Sequence, residues 1–386
     1  MKLLQKMLFC VALILATSCT DSSDKVLTVI HADGSCRREF TACADSAFMT
    51  GSIAEKNNPF PVEIDSTYLI AWKYKDGEIR TDFPISQSVY DSLILTDTTT
   101  PKPTKSEDDF LVFASKNYKS VEEMSKDSKL KPSHAWSDKR IKHSFEKKIK
   151  FFYSYFTYKE TYPGMEFPFK TPIENYMSEE EADFWFTGEP NLLQGMNGLE
   201  AREYLNELGE KYDKWFARSL WDLQYGIFTS NYDMIKNPPV SKEELIHLED
   251  TIFETSFKSS KTMRFMDKIS VCLDNYYNTK VFSEFAETGN TGNTCNENSV
   301  EEIFMLMFGD SYAYQLIMPG EIIYTNGINR NDTLNWRLSS NRMFRGDYVI
   351  EAQSRKLNVW LLVLTGMFAI TTTVIFVYKR RKFNLG

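Results

Sequence analysis

Few residue patterns in this chain of 386 residues have the spacing that enzyme chemistry requires. None of its four histidines has the i, i+4 partner that a zinc-protease helix needs. They are His31, His134, His143 and His247. The chain contains no glycine-rich phosphate loop and no serine nucleophile elbow. Ser144 and Lys147 match S-x-x-K, but the companion motifs of that enzyme class do not occur. We therefore assign no catalytic residue, no cofactor and no metal site.

Glu160 is the one carboxylate whose sequence neighbours could tune it for catalysis. It lies between tyrosines in Tyr158–Tyr162 (YKETY), and burial among aromatic rings would raise its pKa, as a general acid requires. The simpler interpretation is that Glu160 faces solvent or pairs with a lysine while the tyrosines form core. Phe184–Phe186 (FWF) could likewise close a pocket, but core packing is again the simpler interpretation.

The N-terminus has the order of an export signal. Met1–Lys6 is basic and Met7–Ala16 is apolar, which at ten residues is too short to span a bilayer. The small residues before Cys19 (ATS-C) resemble the lipobox of bacterial lipoproteins. We expect the cysteine to be lipidated with diacylglycerol after cleavage. The alternative is an ordinary secretory signal followed by a chance cysteine.

A second apolar segment lies near the C-terminus. Leu357–Tyr378 contains 22 residues without a charge, and a helix of that length covers about 33 Å. Trp360 and Tyr378 lie near its ends, where interfacial aromatics are common. Four basic residues follow it in Lys379–Lys382 and two precede it, which predicts a cytoplasmic tail by the positive-inside rule. The body would then lie on the periplasmic side of the bacterial inner membrane.

The cysteine content is compatible with an oxidising compartment. Once Cys10 leaves with the signal peptide and Cys19 is lipidated, four cysteines remain, and they allow three connectivities. Cys36 and Cys43 lie too far apart to bond each other if they end one extended strand. Cys272 ends a helical pattern and Cys295 lies in a Gly/Asn-rich loop, so we expect a Cys272–Cys295 disulfide.

The hydrophobic pattern predicts an α+β fold. An antiparallel β-sheet is formed by N- and C-terminal strand regions, with a helical middle region and one C-terminal transmembrane helix. The predicted segments are residues 1–18 (signal peptide), 19–24 (tether), 25–162 (β-rich region), 163–310 (helical region), 311–356 (β-rich closing region), 357–378 (transmembrane helix) and 379–386 (basic tail). The predicted strands before the helical region are Lys25–His31, Cys36–Cys43, Ser66–Lys75 and one long strand over His143–Tyr162, with Thr96–Asp108 as the most linker-like stretch.

Capping boxes predict where the helices of the middle region begin. The four pairs are Ser178/Glu181, Asn197/Glu200, Ser241/Glu244 and Ser299/Glu302. Apolar residues at helical spacing follow from Gly198 to Ile235, and we expect two further helices. These are Glu243–Phe257 and Ser260–Phe285.

Strand patterns return after residue 311. The predicted strands are Tyr312–Met318, Glu321–Tyr324, Thr333–Leu338 and Tyr348–Arg355. Pro319-Gly320 and Asn326-Gly327 are hairpin turns in this interpretation, and Trp336 packs in a core. The run IMPGEI, then TNG, then NWRL shortly before the apolar segment resembles the end of LppM-type domains, and Ala32–Ser35 (ADGS) is similar to their first hairpin. That resemblance implies an extracytoplasmic domain of a membrane-anchored lipoprotein, with an antiparallel sheet carrying helices and a lipid-handling groove.

The charge distribution argues against nucleic-acid binding. Between the two apolar segments the chain has 39 basic and 53 acidic residues, whereas nucleic-acid binding needs a basic footprint. The sequence therefore favours a non-enzymatic envelope protein that binds a lipid or a membrane-protein partner. A hydrolase acting on envelope polymers and a purely structural membrane tether are the alternatives.

Overall fold

The chain folds into two units, one rich in strands and one helical. The computed structural model describes residues 24–52, 57–75, 77–95, 110–128, 140–260, 269–287 and 311–383. The described residues of Met1–Pro163, Ser311–Ser339 and Asp347–Gly386 form the first unit, here called the β unit. Those of Gly164–Asp310 and Ser340–Gly346 form the second, the helical unit.

The β unit contains two sheets. Its strands are β1 (Lys25–Ile30), β2 (Cys36–Cys43), β3 (Leu69–Tyr74), β4 (Phe110–Tyr118), β5 (Lys142–Lys150), β6 (Tyr153–Tyr162), β7 (Ser311–Ile317), β8 (Glu321–Thr325), β9 (Ile328–Arg330), β10 (Thr333–Ser339) and β11 (Tyr348–Leu357). One sheet has seven strands in the order β3-β4-β2-β1-β7-β10-β9, and the other has four in the order β5-β6-β11-β8. The β1–β7 pair is parallel and the other registered pairs are antiparallel. The α+β class, with strands from both ends of the chain, is confirmed, but these strands form two sheets rather than the one antiparallel sheet predicted, and one sheet contains a parallel pair.

Alternation of apolar and polar residues explains why these segments form strands. In β1 and β2 every second residue is buried, and Val26 and Phe40 are each about 1% exposed. Because strand side chains alternate between faces, one face of each strand contributes to the core while the other meets solvent. Three helices lie between the early strands: α1 (Ser46–Met49), α2 (Gln87–Leu95) and α3 (Val121–Asp127). The predicted linker Thr96–Asp108 lies outside the described residues.

The predicted single strand over His143–Tyr162 is wrong. The segment forms a hairpin, in which Lys150 of β5 pairs with Tyr153 of β6 across the two-residue turn Phe151-Phe152. Phe151 adopts a positive φ of 51°. Two-residue hairpin turns usually contain glycine, asparagine or aspartate, which tolerate this conformation, so the phenylalanines concealed the turn.

Pro319-Gly320 and Asn326-Gly327 are not hairpin turns. β7 belongs to the seven-stranded sheet, β8 to the four-stranded sheet and β9 again to the seven-stranded sheet. Both dipeptides therefore carry the chain from one sheet to the other. The Asn326 side chain joins the sheets, because it donates to the Val349 carbonyl at 2.7 Å and accepts from Trp336 Nε1 at 3.0 Å. Trp336 is buried, as expected.

Helices dominate the second unit. They are α4 (Glu179–Thr187), α5 (Gly198–Ser230), α6 (Lys242–His247), α7 (Glu249–Ser260), α8 (Ile269–Tyr277) and α9 (Val281–Glu287). The Ser178/Glu181 capping box is present, and Asn197 and Glu200 exchange the same two hydrogen bonds at the start of α5. Ser241 accepts from the Glu244 amide. The Ser299/Glu302 pair lies outside the described residues.

The two predicted helices after α5 are each interrupted. Leu248 ends α6 before α7 begins, so Glu243–Phe257 is not one continuous helix. Asn278 has φ of 51° and separates α8 from α9, which divides the predicted Ser260–Phe285 helix. The Asp274 carboxylate accepts from the amides of Phe282 and Ser283 at 3.0 and 2.9 Å, and so satisfies the N-terminus of α9.

The helical unit has two aromatic-rich cores. Phe186 of α4 packs with Tyr212, Trp215 and Phe216 of α5, as the simpler interpretation of the FWF segment expected. Trp185 stacks on Tyr212 with 5.1 Å between ring centroids. The second core lies between α5 and α6–α9 and includes buried residues of all five helices. They are Trp221, Tyr225, Phe228, Leu245, Phe253, Leu273 and Phe282.

A last helix, α10, follows β11 almost directly. It spans Val359–Phe383, two residues later than the predicted start at Leu357, which is the last residue of β11. Its apolar stretch Val359–Arg380 has 22 residues and a mean hydropathy of 2.1, and none of it is buried against the rest of the protein. By length and composition the helix is sufficient to cross a membrane.

Candidate functional site

The most unusual group of side chains in the β unit is a buried charged cluster between its two sheets. Arg38 comes from β2 in the seven-stranded sheet, and Glu160 and His143 are directly opposite each other on β6 and β5. Arg38 Nη2 lies 2.7 Å from Glu160 Oε1, and the two side chains are 2% and 0% exposed. Arg38 Nη1 lies 2.7 Å from His143 Nε2. We call these residues, with the hydroxyl residues described next, the Glu160 cluster.

Three tyrosines complete the hydrogen bonding of the Glu160 carboxylate. The Tyr162 hydroxyl donates to Oε1 at 2.6 Å, and the Tyr158 and Tyr314 hydroxyls donate to Oε2 at 2.8 and 2.5 Å. Tyr158, Glu160 and Tyr162 share one face of β6 because they are two residues apart. Tyr314 comes from β7, and Thr28 Oγ1 of β1 lies 3.0 Å from its hydroxyl.

The cluster holds Glu160 ionised. Burial alone would raise the pKa of Glu160, but the charge and hydrogen bond of Arg38 hold that pKa well below its ordinary value. Burial and the Glu160 charge raise the pKa of all three tyrosines. Burial lowers the pKa of His143, so the ring is neutral and its Nε2 accepts from Arg38.

This arrangement differs from both interpretations of Glu160 made from the sequence. The carboxylate is buried rather than solvent-facing, its partner is an arginine rather than a lysine, and its pKa is lowered rather than raised. A general acid needs a proton to donate near the working pH, and a saturated, ionised carboxylate has none. The chemistry of the cluster is therefore that of an ion pair joining two sheets.

The other residues considered for chemistry do not converge. Ser144 and Lys147 are three residues apart on β5, so they point to opposite faces of the strand and cannot form an S-x-x-K pair. The Lys147 ammonium donates instead to the Ala32 carbonyl at 2.9 Å. Among the residues that the structure describes, no group of three His, Cys, Asp or Glu side chains could hold a metal ion.

The predicted modification sites fall largely outside the described residues. Cys19 and the signal peptide lie there, as does Cys295, so lipidation and the Cys272–Cys295 disulfide stay predictions. Cys272 itself lies in α8. Cys36 and Cys43 end β2, as expected for one extended strand that keeps them apart. Burial raises the pKa of the Cys36 thiol to about 11.

The junction between β11 and α10 is fixed to the β5–β6 hairpin. The Asn358 amide, between the strand and the helix, donates to the Phe152 carbonyl at 2.7 Å. Ser154 Oγ donates to Asn358 Oδ1 at 3.0 Å. Nothing local in the sequence links residues 152 and 358, so this contact could not be predicted from it. It joins the last helix to the end of the four-stranded sheet.

Comparison with protein-family models, curated proteins and solved structures finds no match to this chain.

Proposed function

We propose that the protein is a doubly anchored envelope lipoprotein of the bacterial inner membrane. In this proposal α10 spans the membrane, Cys19 carries diacylglycerol, and the folded units lie on the periplasmic side. The body binds a lipid or a membrane-protein partner and is not an enzyme. The observation that carries the proposal is α10, an apolar helix of membrane-spanning length that is not buried against the rest of the protein.

Exposure of α10 to water would be strongly unfavourable. Large apolar side chains along it are more than half exposed, among them Trp360, Phe368 and Ile370. Since the free-energy cost of hydrating apolar surface grows with its area, this helix requires an apolar environment along its length. A bilayer supplies that environment and matches its length.

The charges flanking α10 support the orientation. Arg355 and Lys356 precede the helix, whereas Lys379–Lys382 end it with four consecutive basic residues. The positive-inside rule places the larger basic group in the cytoplasm. The lipobox-like ATS-C sequence agrees, because lipidation of Cys19 takes place on the outer face of the inner membrane.

The Glu160 cluster argues against catalysis by this carboxylate. The carboxylate in this cluster is saturated by an arginine and three tyrosine hydroxyls, so it has no free lone pair aimed at a substrate. The likeness of the chain ends to LppM-type domains, with their lipid-handling groove, supports a lipid as the ligand class.

Orientation is tested with a reporter fused after Gly386 in intact cells and spheroplasts. We expect a reporter that works only in the cytosol to be active, and external protease on spheroplasts to digest the body. Digestion of the fused tail by external protease would contradict the proposed orientation. Mass spectrometry of the lipids that remain bound to the purified protein then tests the ligand class. The control is the lipid composition of the detergent extract of the same membranes.

A further inference from the structure

The tip of the β5–β6 hairpin lies at the same end of the four-stranded sheet as the start of α10. Lys150 pairs with Tyr153, and Tyr153 pairs with Leu357, the last residue of β11. Hydrogen bonds from Asn358 to Phe152 and from Ser154 to Asn358 fix the tip beside the residue that precedes the helix. If α10 enters a membrane, the tip must therefore meet the membrane surface.

Phe151 at this tip has no role that folding in water explains. Its side chain is 91% exposed and its backbone has a positive φ of 51°. A phenylalanine there gains no packing energy and occupies a backbone region that favours glycine or asparagine. Ile149 beside it is 58% exposed, and Leu357 is 41% exposed. Apolar side chains concentrated at this end of the sheet are suited to the interfacial layer of a bilayer.

Basic and aromatic residues lie near the tip on the outer face of the sheet. Lys150 Nζ lies 5.8 Å from the Tyr155 ring centroid, and the Arg355 guanidinium lies 5.4 Å from that of Tyr153. Lys148 is 60% exposed and pairs with Glu146 at 2.7 Å, and Arg355 pairs with Glu321 at 2.9 Å. Five basic residues and two acidic ones lie at this end of the sheet. They are Lys147, Lys148, Lys150, Arg355, Lys356, Glu146 and Glu321.

Protection of an edge strand accounts for only part of this pattern. Lysines on an edge strand such as β5 prevent pairing with other chains, which could explain Lys148 and Lys150. An exposed phenylalanine at the tip would have the opposite effect in water. A membrane surface explains both features, because long basic side chains reach headgroups while aromatic rings enter the layer beneath.

We infer that the β5–β6 tip docks into the headgroup layer of the membrane that α10 spans. Phe151 inserts among the lipids, and Lys148 and Lys150 bind the phosphates of anionic lipids. This inference rests on the proposed membrane anchoring. Docking fixes the angle of the β unit to the membrane, because the tip and α10 give two points of contact at one end of the four-stranded sheet.

The test is photo-crosslinking of the full chain in liposomes of phosphatidylcholine and phosphatidylglycerol. p-Benzoyl-phenylalanine replaces Phe151, the α10 residue Trp360, or Ser144 in separate samples. Ser144 is an exposed β5 position roughly 20 Å from Lys150 along the strand. We expect lipid adducts at positions 151 and 360 and none at 144.

The three positions separate the two hypotheses. Adducts at 360 but not at 151 would overturn the docking inference and leave the membrane anchor intact. Absence of adducts at 360 would overturn the anchor itself. Adducts at 144 equal to those at 151 would also overturn the inference, because contact would then not be specific to the tip.

The charge component has its own control. In the parent protein the share of phosphatidylglycerol among adducts at 151 should exceed its bulk share by about two- to five-fold. Lys148→Gln with Lys150→Gln should return that share to the bulk value, whereas Lys142→Gln at the far end of β5 should not change it. An unchanged share in the double variant would exclude headgroup binding by these lysines.

Discussion

At the scale of single residues, Glu160 and Arg38 form an ion pair buried between the two sheets of the β unit. Their charges are almost fully removed from water, so each needs the other and the surrounding hydroxyls to offset the loss of hydration. Such a pair contributes modestly to the free energy of unfolding when both members are present, but loss of one member leaves a buried charge without its counterion. It also links the two sheets, since the partners come from β2 and β6.

We predict that Glu160→Gln destabilises the β unit by about 3–5 kcal/mol, because Arg38 then remains buried without a counterion. Glu351→Gln is the matched control. Glu351 pairs with Lys159 at 2.9 Å in the same sheet, but Lys159 is 46% exposed, so the expected loss is below about 1 kcal/mol. Denaturant unfolding of the full chain in detergent measures both. Equal losses in the two variants would contradict a special role for the buried pair.

The lowered pKa of Glu160 gives a prediction for pH. A carboxyl group whose pKa is lowered by folding stabilises the protein at pH values above the pKa that the group has in the unfolded chain. The free energy of unfolding should therefore fall as the pH drops below 4.5. His143 acts in the same direction, because its lowered pKa makes stability fall as pH drops below 6.5. Unfolding free energies measured between pH 7 and pH 3 check these signs.

Arg38→Met should reverse the direction in which Glu160 makes the stability of the protein depend on pH. Without the arginine, burial raises the pKa of the carboxyl, so the folded state binds a proton more tightly than the unfolded state. The destabilisation caused by Arg38→Met should therefore shrink as the pH falls. A destabilisation that stays constant from pH 7 to pH 4 would contradict the proposed role of Arg38 as the counterion.

The Glu160 cluster shows why sequence analysis of single residues was incomplete. The tyrosines on either side of Glu160 correctly indicated a buried face, but Arg38 lies 122 positions away and His143 belongs to the preceding strand. No local pattern shows that these three side chains meet. A charged residue between aromatic residues at every second position was the available signal for burial, but the simpler interpretation placed Glu160 in solvent or beside a lysine.

At the scale of elements, the Asn326-Gly327 crossing between sheets allows a direct test. A Cβ on Gly327 would lie 2.3 Å from Trp336 Cε2, closer than real contacts allow. We predict that Gly327→Ala costs about 1–3 kcal/mol through displacement of the indole, which also donates to Asn326. Gly198→Ala is the control, since a Cβ there meets nothing within 4 Å and should change stability by less than about 0.5 kcal/mol.

The elements that the sequence predicted best have strong local signals. Alternation located β1, β2 and β11 within one or two residues, and the Ser178 capping box located the start of α4. The turn at Phe151-Phe152 was missed because neither residue is typical of turns. Asn326-Gly327 was recognised as a turn, but its role in joining two sheets depends on strand pairing across the whole unit, which local sequence does not encode.

At the scale of the whole molecule, the charge and hydropathy of the chain agree with an architecture of two anchors. The basic residues at both ends flank apolar segments, while the stretch between is acidic with 39 basic and 53 acidic residues. An acidic body is repelled by an anionic membrane surface. The basic tip of the β5–β6 hairpin is a local exception at the junction with α10, where repulsion would otherwise act on the sheet.

Removal of the anchors one at a time tests this architecture. Cys19→Ala should keep the protein in the membrane fraction, because α10 cannot leave the bilayer without exposing its apolar length to water. Deletion of residues 357–386 should also keep it there, through the diacylglycerol on Cys19. The combined variant should be released to the soluble periplasmic fraction. A palmitate analogue should label the parent and the deletion variant, but not Cys19→Ala.

Each single variant can contradict one anchor. Release of the deletion variant alone would show that Cys19 either carries no diacylglycerol or carries a lipid that is too weak to anchor the protein. Release of Cys19→Ala alone would show that α10 does not span the membrane. Retention of the combined variant after a high-salt wash would mean that the body itself binds the membrane or a partner in it, and the β5–β6 tip would be the first surface to remove, by Phe151→Ser with Lys148→Gln and Lys150→Gln.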